Sequence, residues 1–366
     1  MALKEQIVDL TKKLASIKST ADRPKELARV AETVEKFLAN EKLVKQKFIK
    51  NNKVALVYTF KKTKQPKIFM IGHLDVVPAE DTEFNIQVKG DRLIGRGVED
   101  MKGSDVVMIL LMQALSKIKN PPSVGLMLTT DEEVGGFNGV GYLINEKGYD
   151  CDVAFVPDAG ENFDLTYAQK GIVHLKITAK GKSAHGSRPW LGDNALDKLV
   201  DACHYLREEF PPVKKAVWTT TCNLGKITGG TVANVVPDQA EMLVDIRFTE
   251  KHNQSQLIKK ISQKLSDLKV EKISGGEVVY TQPNNPYFKS FKKLTEKELA
   301  RKARTFRSHG ASDGRFLAAK NIPVILTGCV GGNTHGRGEW VSINSLLKLY
   351  SIVKNFVLTE GFKDKE

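Results

Sequence analysis

Apolar and polar positions follow two rhythms along this chain. Over 3–17 and 24–38 apolar residues recur at helical spacing, which predicts two amphipathic helices. Strand-like apolar runs follow at 54–60, 67–71, 124–129 and 153–156, with a helix predicted over 104–117. The last three runs lead into polar clusters that contain glycine. The run at 67–71 meets Gly72-His73-Leu74-Asp75, the one at 124–129 meets Thr130-Asp131-Glu132-Glu133-Val134-Gly135-Gly136, and the one at 153–156 meets Pro157-Asp158-Ala159-Gly160. Between them, 93–97 leads into the glycine-bracketed turn Gly95-Arg96-Gly97-Val98-Glu99-Asp100-Met101-Lys102-Gly103. Helices alternating with strands whose carboxyl ends carry polar clusters predict an open α/β sheet with its site at those ends.

At Gly171 the rhythm changes. Residues 172–179 alternate apolar and polar, as in a half-exposed antiparallel strand. A helix near 194–210, strands near 217–227 and 240–248, a helix near 254–268 and a strand at 278–280 complete a β-α-β-β-α-β pattern. This reads as an inserted domain over 172–283, interrupting an α/β domain of 1–171 and 284–366. After Pro286 the first pattern resumes, with a lysine-rich helix, a loop at 308–313, a helix through 319, a strand at 324–326 and a terminal helix over 343–358.

Composition narrows the class. A length of 366 residues suits two domains. There is no run of eighteen apolar residues, which weighs against a membrane span. The opening ten residues are amphipathic and charged, with no apolar core leading to a cleavage site, so no secretory signal is visible and the cytoplasm is the expected compartment. Cys151, Cys203, Cys222 and Cys329 show no paired spacing, which argues against a disulfide framework or a cysteine zinc site. The formal charge of +13 comes from dispersed lysines without interleaved aromatics, so a solvated exterior is favoured over a nucleic-acid groove. The same charge can draw anionic substrates inward.

The chemistry lies in the clusters. His73 and Asp75 share one face of a strand, and a carboxylate beside an imidazole can fix its tautomer for metal binding. Such a triplet alone matches by chance; its company gives it weight. His73, Asp100, Glu132, Glu133, Asp158 and His335 all fall in strand-end turns with flanking glycines. Carboxylates and imidazoles are ligands that zinc, cobalt and manganese accept. In a turn, one of two adjacent glutamates can ligate while the other holds a proton-transfer position, a division that suits hydrolysis.

Taken in order, Gly-His-Leu-Asp-Val-Val, Gly-Arg-Gly-Val-Glu-Asp-Met-Lys-Gly, Thr-Asp-Glu-Glu-Val-Gly-Gly, Gly-Lys-Ser-Ala-His, Asn-Val-Val-Pro, Ser-Asp-Gly-Arg-Phe and His335 with Glu339 form a specific set. The set resembles the di-zinc metallopeptidase family of aminoacylase, carboxypeptidase G, acetylornithine deacetylase, succinyl-diaminopimelate desuccinylase and several dipeptidases. The resemblance spans nearly the whole chain. It implies a zinc-peptidase-like α/β catalytic domain, a mixed sheet flanked by helices, with an inserted ferredoxin-like α+β lid or dimerisation domain. It further implies two divalent metal ions, zinc foremost with cobalt or manganese as alternatives. His73 and Asp158 would hold one, Glu133 and His335 the other, and Asp100 would bridge them. Asp75 would orient His73, and Glu132 would be the general acid/base. His185 of the inserted domain would stabilise the oxyanion, often across a dimer interface, so a homodimer is expected. Asn234 and Arg247 match positions that bind the substrate's carbonyl or carboxylate, and Ser312, Gly314 and Arg315 a loop near its carboxylate end. Each has a plainer reading: Asn234 as a turn former, Arg247 as a surface strand charge, Arg315 as a partner of Asp313. His174, His204, His252 and His309 are read as structural or exposed.

Departures bear on the substrate. Ala311 and Gly331 stand where desuccinylases resembling this chain place threonine and asparagine. Asp158 stands where deacylases tend to carry glutamate, and, with Ala168-Gln169-Lys170-Gly171, resembles the dipeptidase branch; 333–340 resembles an aminopeptidase of tripeptides. The expected function is hydrolysis of an amide bond in a short peptide or an N-acyl amino acid by a metal-activated water. The alternative is a desuccinylase or a deacylase like acetylornithine deacetylase. A non-catalytic binding protein on the same fold is the remote alternative, disfavoured because every ligand and Glu132 are present. Nucleic acid and membrane are not expected partners.

Overall fold

The computed structural model describes residues 1–158 and 161–362. The chain forms two compact units. One comprises Met1–Ala168, Tyr280–Ser308 and Ser312 onward; the other comprises Gln169–Val279 with His309–Ala311.

The first unit is built on a mixed nine-stranded sheet. Its order runs Val44–Lys50, Lys53–Thr59, Val124–Thr129, Ile68–His73, Val153–Val156, Val324–Leu326, Leu165–Gln169 and Val279–Tyr280, with Thr305–Ser308 also on Leu165–Gln169. The three central strands, Val124–Thr129, Ile68–His73 and Val153–Val156, are parallel, and every residue in them is buried. Their unbroken apolar character is what a strand covered on both faces requires. The helix Gly103–Leu115 is apolar nearly all round because it lies between this sheet and the helices Leu3–Ala15 and Ile343–Glu360. Gly72 is the point of closest approach: a Cβ there would fall 1.9 Å from Asp105 Oδ1 on that helix.

A small antiparallel sheet joins distant parts of the same unit. It orders Gly331–Gly332, Trp340–Ser342, Arg92–Ile94 and Gln87–Lys89, with Trp340 paired to Ile94. The loop ending at Glu339 and the turn beginning at Gly95 are thereby neighbours, and Gly95 N donates to Glu339 O at 2.8 Å.

The second unit is a four-stranded antiparallel sheet ordered Thr221–Gly229, Gln239–Phe248, Gly171–Lys180 and Lys269–Gly276. Alternate residues Val173, Leu175, Ile177 and Ala179 meet Met242, Val244 and Ile246 in a core closed by Leu199 and Leu206 of the helix Ala195–Glu209 and by Leu257 and Ile261 of Gln254–Lys264. Asn194 and Asn253 cap these helices by accepting backbone N–H groups, which explains their start points.

Two sequence expectations change. Val279–Tyr280 lies in the large sheet, and the fourth strand of the small unit is Lys269–Gly276, whose mixed lysine, serine and glycine content hid it in the sequence. Val44–Lys50, which the apolar rhythm passes over, is also a strand: Lys45, Lys47 and Ile49 face outward on a sheet edge, where lysine guards an open strand. Among the described residues, no helix is long and apolar enough to cross a membrane.

Candidate metal centre

Three adjacent parallel strands end together, and their carboxyl ends assemble the site. His73 is the last residue of its strand and pairs in register with Thr129, after which the chain turns through Asp131, Glu132 and Glu133. On the other side Val153–Val156 runs into Pro157 and Asp158. The turn carrying Asp100 and the loop carrying His335 arrive from the small antiparallel sheet.

Asp100 is the centre of the arrangement. Its Oδ1 lies 3.1 Å from His73 Nε2 and its Oδ2 lies 3.0 Å from His335 Nε2. His73 Nε2 is also 3.8 Å from Asp158 Oδ1, and His335 Nε2 is 3.3 Å from Glu133 Oε1. Possible ligand atoms of His73, Asp100 and Glu133, and of His73, Glu132 and Asp158, lie within 4.8 Å of one another. On its far side, His73 Nδ1 sits 3.1 Å from the Asp75 carbonyl and 3.6 Å from Asp75 Oδ1. With the Nδ1–H donating to these oxygens, Nε2 is the ring nitrogen that a metal would use. Asp75 also accepts the N–H groups of Glu132 and Glu133 at 3.3 and 3.0 Å, so one carboxylate places both the histidine and the glutamate turn.

The electrostatics call for cations. Asp100, Glu132, Glu133 and Asp158 converge, yet among the described residues no lysine or arginine forms an ion pair with any of them. Burial would raise Asp100, but hydrogen bonds from His335 and His73 outweigh it and hold its carboxyl below the usual range. The same contact with Asp100, then Glu133, pushes His335 up to about 10. Burial raises Asp158 to about 6 and Asp75 to about 6. Burial, then the neighbouring Asp158 and Asp313, raises Glu132 well above an ordinary carboxyl. Carboxylate oxygens and imidazole nitrogens are donors that divalent ions such as zinc accept, and ions held there would offset the converging negative charge.

A family model described as Peptidase family M20/M25/M40 matches residues 69–359. The chain belongs to that family. It is 30% identical over 323 residues to the succinyl-diaminopimelate desuccinylase of Pelagibacter ubique (strain HTCC1062), covering 80% of this chain and 83% of that protein. Among solved structures, a tripeptidase of Staphylococcus aureus shares the fold with a TM-score of 0.77 at 21% identity, covering 99% of this chain and 100% of that one. A dinuclear metal-binding peptidase of Bacillus subtilis does so with a TM-score of 0.66 at 13% identity, over 98% of both chains. As an M20 member the chain is a metal-dependent hydrolase, and the convergent donors around Asp100 are its candidate metal-binding group.

The other expected residues fall in two places. Ser312, Gly314 and Arg315 lie in the M20 catalytic unit, all buried. Arg315 does not bond Asp313: its Nη2 donates to the Gly135 carbonyl at 2.7 Å, bracing the glutamate turn, and its guanidinium lies over the Phe316 ring. His185, Asn234 and Arg247 lie in the second unit. His185 is exposed, and its Nδ1 accepts the Ser187 N–H at 3.1 Å. Asn234 is exposed and gives its carbonyl to Gly186 N. Arg247 spends its Nε and Nη2 on Asp245, two residues away on the same strand face.

Sequence reasoning left three supporting residues without a role. Glu339 is fully buried; it accepts Glu99 N at 2.9 Å and Asp100 N at 3.2 Å, and pairs with Arg96 at 2.5 Å. Arg96 in turn donates to the carbonyls of His335 and Gly336, and so holds His335 in the left-handed region at φ 60°. Lys102 is wholly buried and donates to Leu14 O, Ile17 O and Ser19 Oγ; Ser19 Oγ donates to Leu74 O, next to His73 in the chain. Arg96 and Lys102 stand inside the quoted Gly95 to Gly103 motif, but their burial could not be read there.

Proposed function

We propose that the chain hydrolyses an amide bond in a short peptide or an N-acyl amino acid, with Glu132 as general acid and base. The observation that supports this most is Asp100 shared between two histidines while Glu132, close to His73 and Asp158, pairs with neither histidine. His73 and Asp158 would hold one divalent ion, Glu133 and His335 a second, and Asp100 would lie between them. When bound, such a pair polarises the scissile carbonyl and lowers the pKa of water toward ~7. Zinc is the ion we favour, with cobalt and manganese accepting the same donors.

Glu132 takes one proton from the attacking water as that oxygen bonds to the carbonyl carbon. The C–N bond then breaks, and Glu132 returns the proton to the departing nitrogen, leaving a carboxylic acid and an amine, which become carboxylate and ammonium when the water's second proton passes from the acid to the amine. Burial and Asp158 raise its proton affinity, which a group that must both take and return a proton needs. Asp75 keeps the His73 ring and the Glu132 turn in place throughout. For His185 the Ser187 N–H on Nδ1 favours the tautomer with the proton on Nε2, a donor suited to a developing oxyanion. Arg247, engaged by Asp245, has less of its fork to offer a carboxylate.

A deacylase reading is favoured by one finding, the desuccinylase relative at 30% identity. The assembly we propose is a homodimer, supported by the exposed Trp190, Leu191 and Val232 in the same unit as His185. The compartment we propose is the cytoplasm, in keeping with four free cysteines. The deciding experiment is turnover by protein reconstituted with zinc, cobalt or manganese against dipeptides, tripeptides, and N-acetyl and N-succinyl amino acids. Cleavage of one class over the others assigns the branch. No turnover on any class with two ions bound overturns the proposal.

A further inference from the structure

Beside the metal centre, and wholly within the catalytic unit, is a cleft of about 580 Å³, a size that suits a small-molecule substrate. Asp100 and Asp158 form part of its wall, so a molecule filling it reaches the reacting bond. Among the described residues lining it, Arg304 is the cation.

Arg304 is held as a receptor group would be. Its Nε donates to Asp164 Oδ2 at 2.7 Å, its backbone N donates to Asp164 Oδ1 at 3.1 Å, and its carbonyl accepts Leu165 N at 2.9 Å. Asp164 is itself buried and also pairs with Arg301 at 3.2 Å, so one carboxylate sits between two guanidiniums and a positive charge is left over. The Arg304 side chain is nevertheless 82% exposed, and among the described residues neither Nη has a partner. A guanidinium fixed through Nε with its two Nη groups open presents a planar fork for a second carboxylate, with little conformational freedom left to lose.

Glu99 and Glu161 also line the cleft. Glu99 already accepts a hydrogen bond from Thr334 Oγ1 at 2.7 Å, whereas the Arg304 Nη donors have no partner among the described residues.

We propose that Arg304 is a specificity-determining residue that binds a carboxylate carried by the substrate away from the scissile amide. The inference rests on the hydrolase reading above. That carboxylate can come from the acyl half, as in a succinyl group, or from the amine half, as in a free carboxyl terminus. Three matched substrates separate the sources: N-acetyl-alaninamide with no carboxylate, N-succinyl-alaninamide with one in the acyl half, and N-acetyl-alanine with one in the amine half.

The metal-loaded protein should cleave one of the two charged substrates better than the neutral one. In Arg304→Met the advantage of that substrate in kcat/KM over the neutral one should fall about 10- to 100-fold, and Arg304→Lys should restore part of it. The substrate whose advantage collapses identifies the half that Arg304 reads. An equal fall on all three substrates would mark a merely structural arginine and overturn the inference, as would unchanged advantages or a gain for substrates bearing an amine instead. Calorimetric binding of succinate against acetate tests the site without turnover. Succinate binding that disappears in Arg304→Met upholds the inference even if no amide is cleaved, and succinate binding that is indifferent to the substitution sinks it.

Discussion

Asp100 can serve two histidines because each of its oxygens meets a different imidazole, and a buried carboxylate in that position stays ionised only through such partners. The neighbouring Glu132 is the opposite case, a carboxyl whose surroundings favour the proton. Glu132→Gln keeps the shape and removes the proposed proton relay. Turnover should fall by at least ~100-fold while bound metal per chain is unchanged; a variant that still turns over would remove Glu132 from the mechanism. Glu339 is a different kind of residue, one that acts through its neighbours. Glu339→Gln leaves Arg96 buried beside carbonyls alone, and the loss of a buried charge partner costs about 3–5 kcal/mol. Denaturant unfolding should show that loss, and metal should dissociate more readily because the Asp100 turn and the His335 loop are both anchored there. Unaltered stability and metal affinity would contradict the anchoring role.

The elements explain why these residues meet. Parallel strands in the order Val124–Thr129, Ile68–His73, Val153–Val156 deliver Glu132, Glu133, His73 and Asp158 to one edge, and the small antiparallel sheet delivers Asp100 and His335. Lys102 ties the end of the first helix to the strand-end loop after His73, and its burial makes that tie pH-dependent. Burial lowers the Lys102 ammonium from 10.5 to about 8. Below pH 8 both folded and unfolded chains hold the proton, and the full cost of the buried charge applies. Between about 8 and 10.5 the unfolded chain binds more protons, so stability rises with pH. Relative to Lys102→Met, the parent should therefore gain on the order of 2–3 kcal/mol between pH 7.5 and 10.5. Urea unfolding of both proteins across that range checks the slope, and a constant difference would contradict it. Two of the strands that the apolar rhythm missed, Val44–Lys50 and Lys269–Gly276, are sheet-edge strands with mixed or charged faces, where solvent contact relaxes the pattern.

At the scale of the whole molecule, the apolar core of the catalytic unit and the metal centre are separate sources of order. The core is made mainly of Leu, Ile, Val, Phe and Met side chains from the sheet and the helices on it, with none of the candidate ligands among them. Chelation should abolish turnover, leave the far-ultraviolet circular dichroism in place, lower the unfolding temperature by several degrees, and be reversed by added divalent ion, because binding to the folded state alone stabilises it. Loss of secondary structure on chelation would show instead that the metal holds the fold.

The sequence by itself determined the elements with strong periodicity, the two-part organisation and the chemical types at the strand ends, because spacing, glycine turns and apolar runs are local properties of the chain. His73, Asp75, Asp100, Glu132, Glu133, Asp158 and His335 were legible there as a set, through motif order. Only the tertiary structure decided the partners. That Arg315 braces Gly135, that Arg247 is spent on Asp245, that Glu339 and Arg96 lock two loops, and that Arg304 is left open on Asp164 all depend on burial and on contacts between residues far apart in the chain, Arg247 and Asp245 excepted. A charged residue reads the same in a sequence whether its fork is filled or free, because the energy that distinguishes the two cases lies in the surrounding donors, acceptors and excluded water.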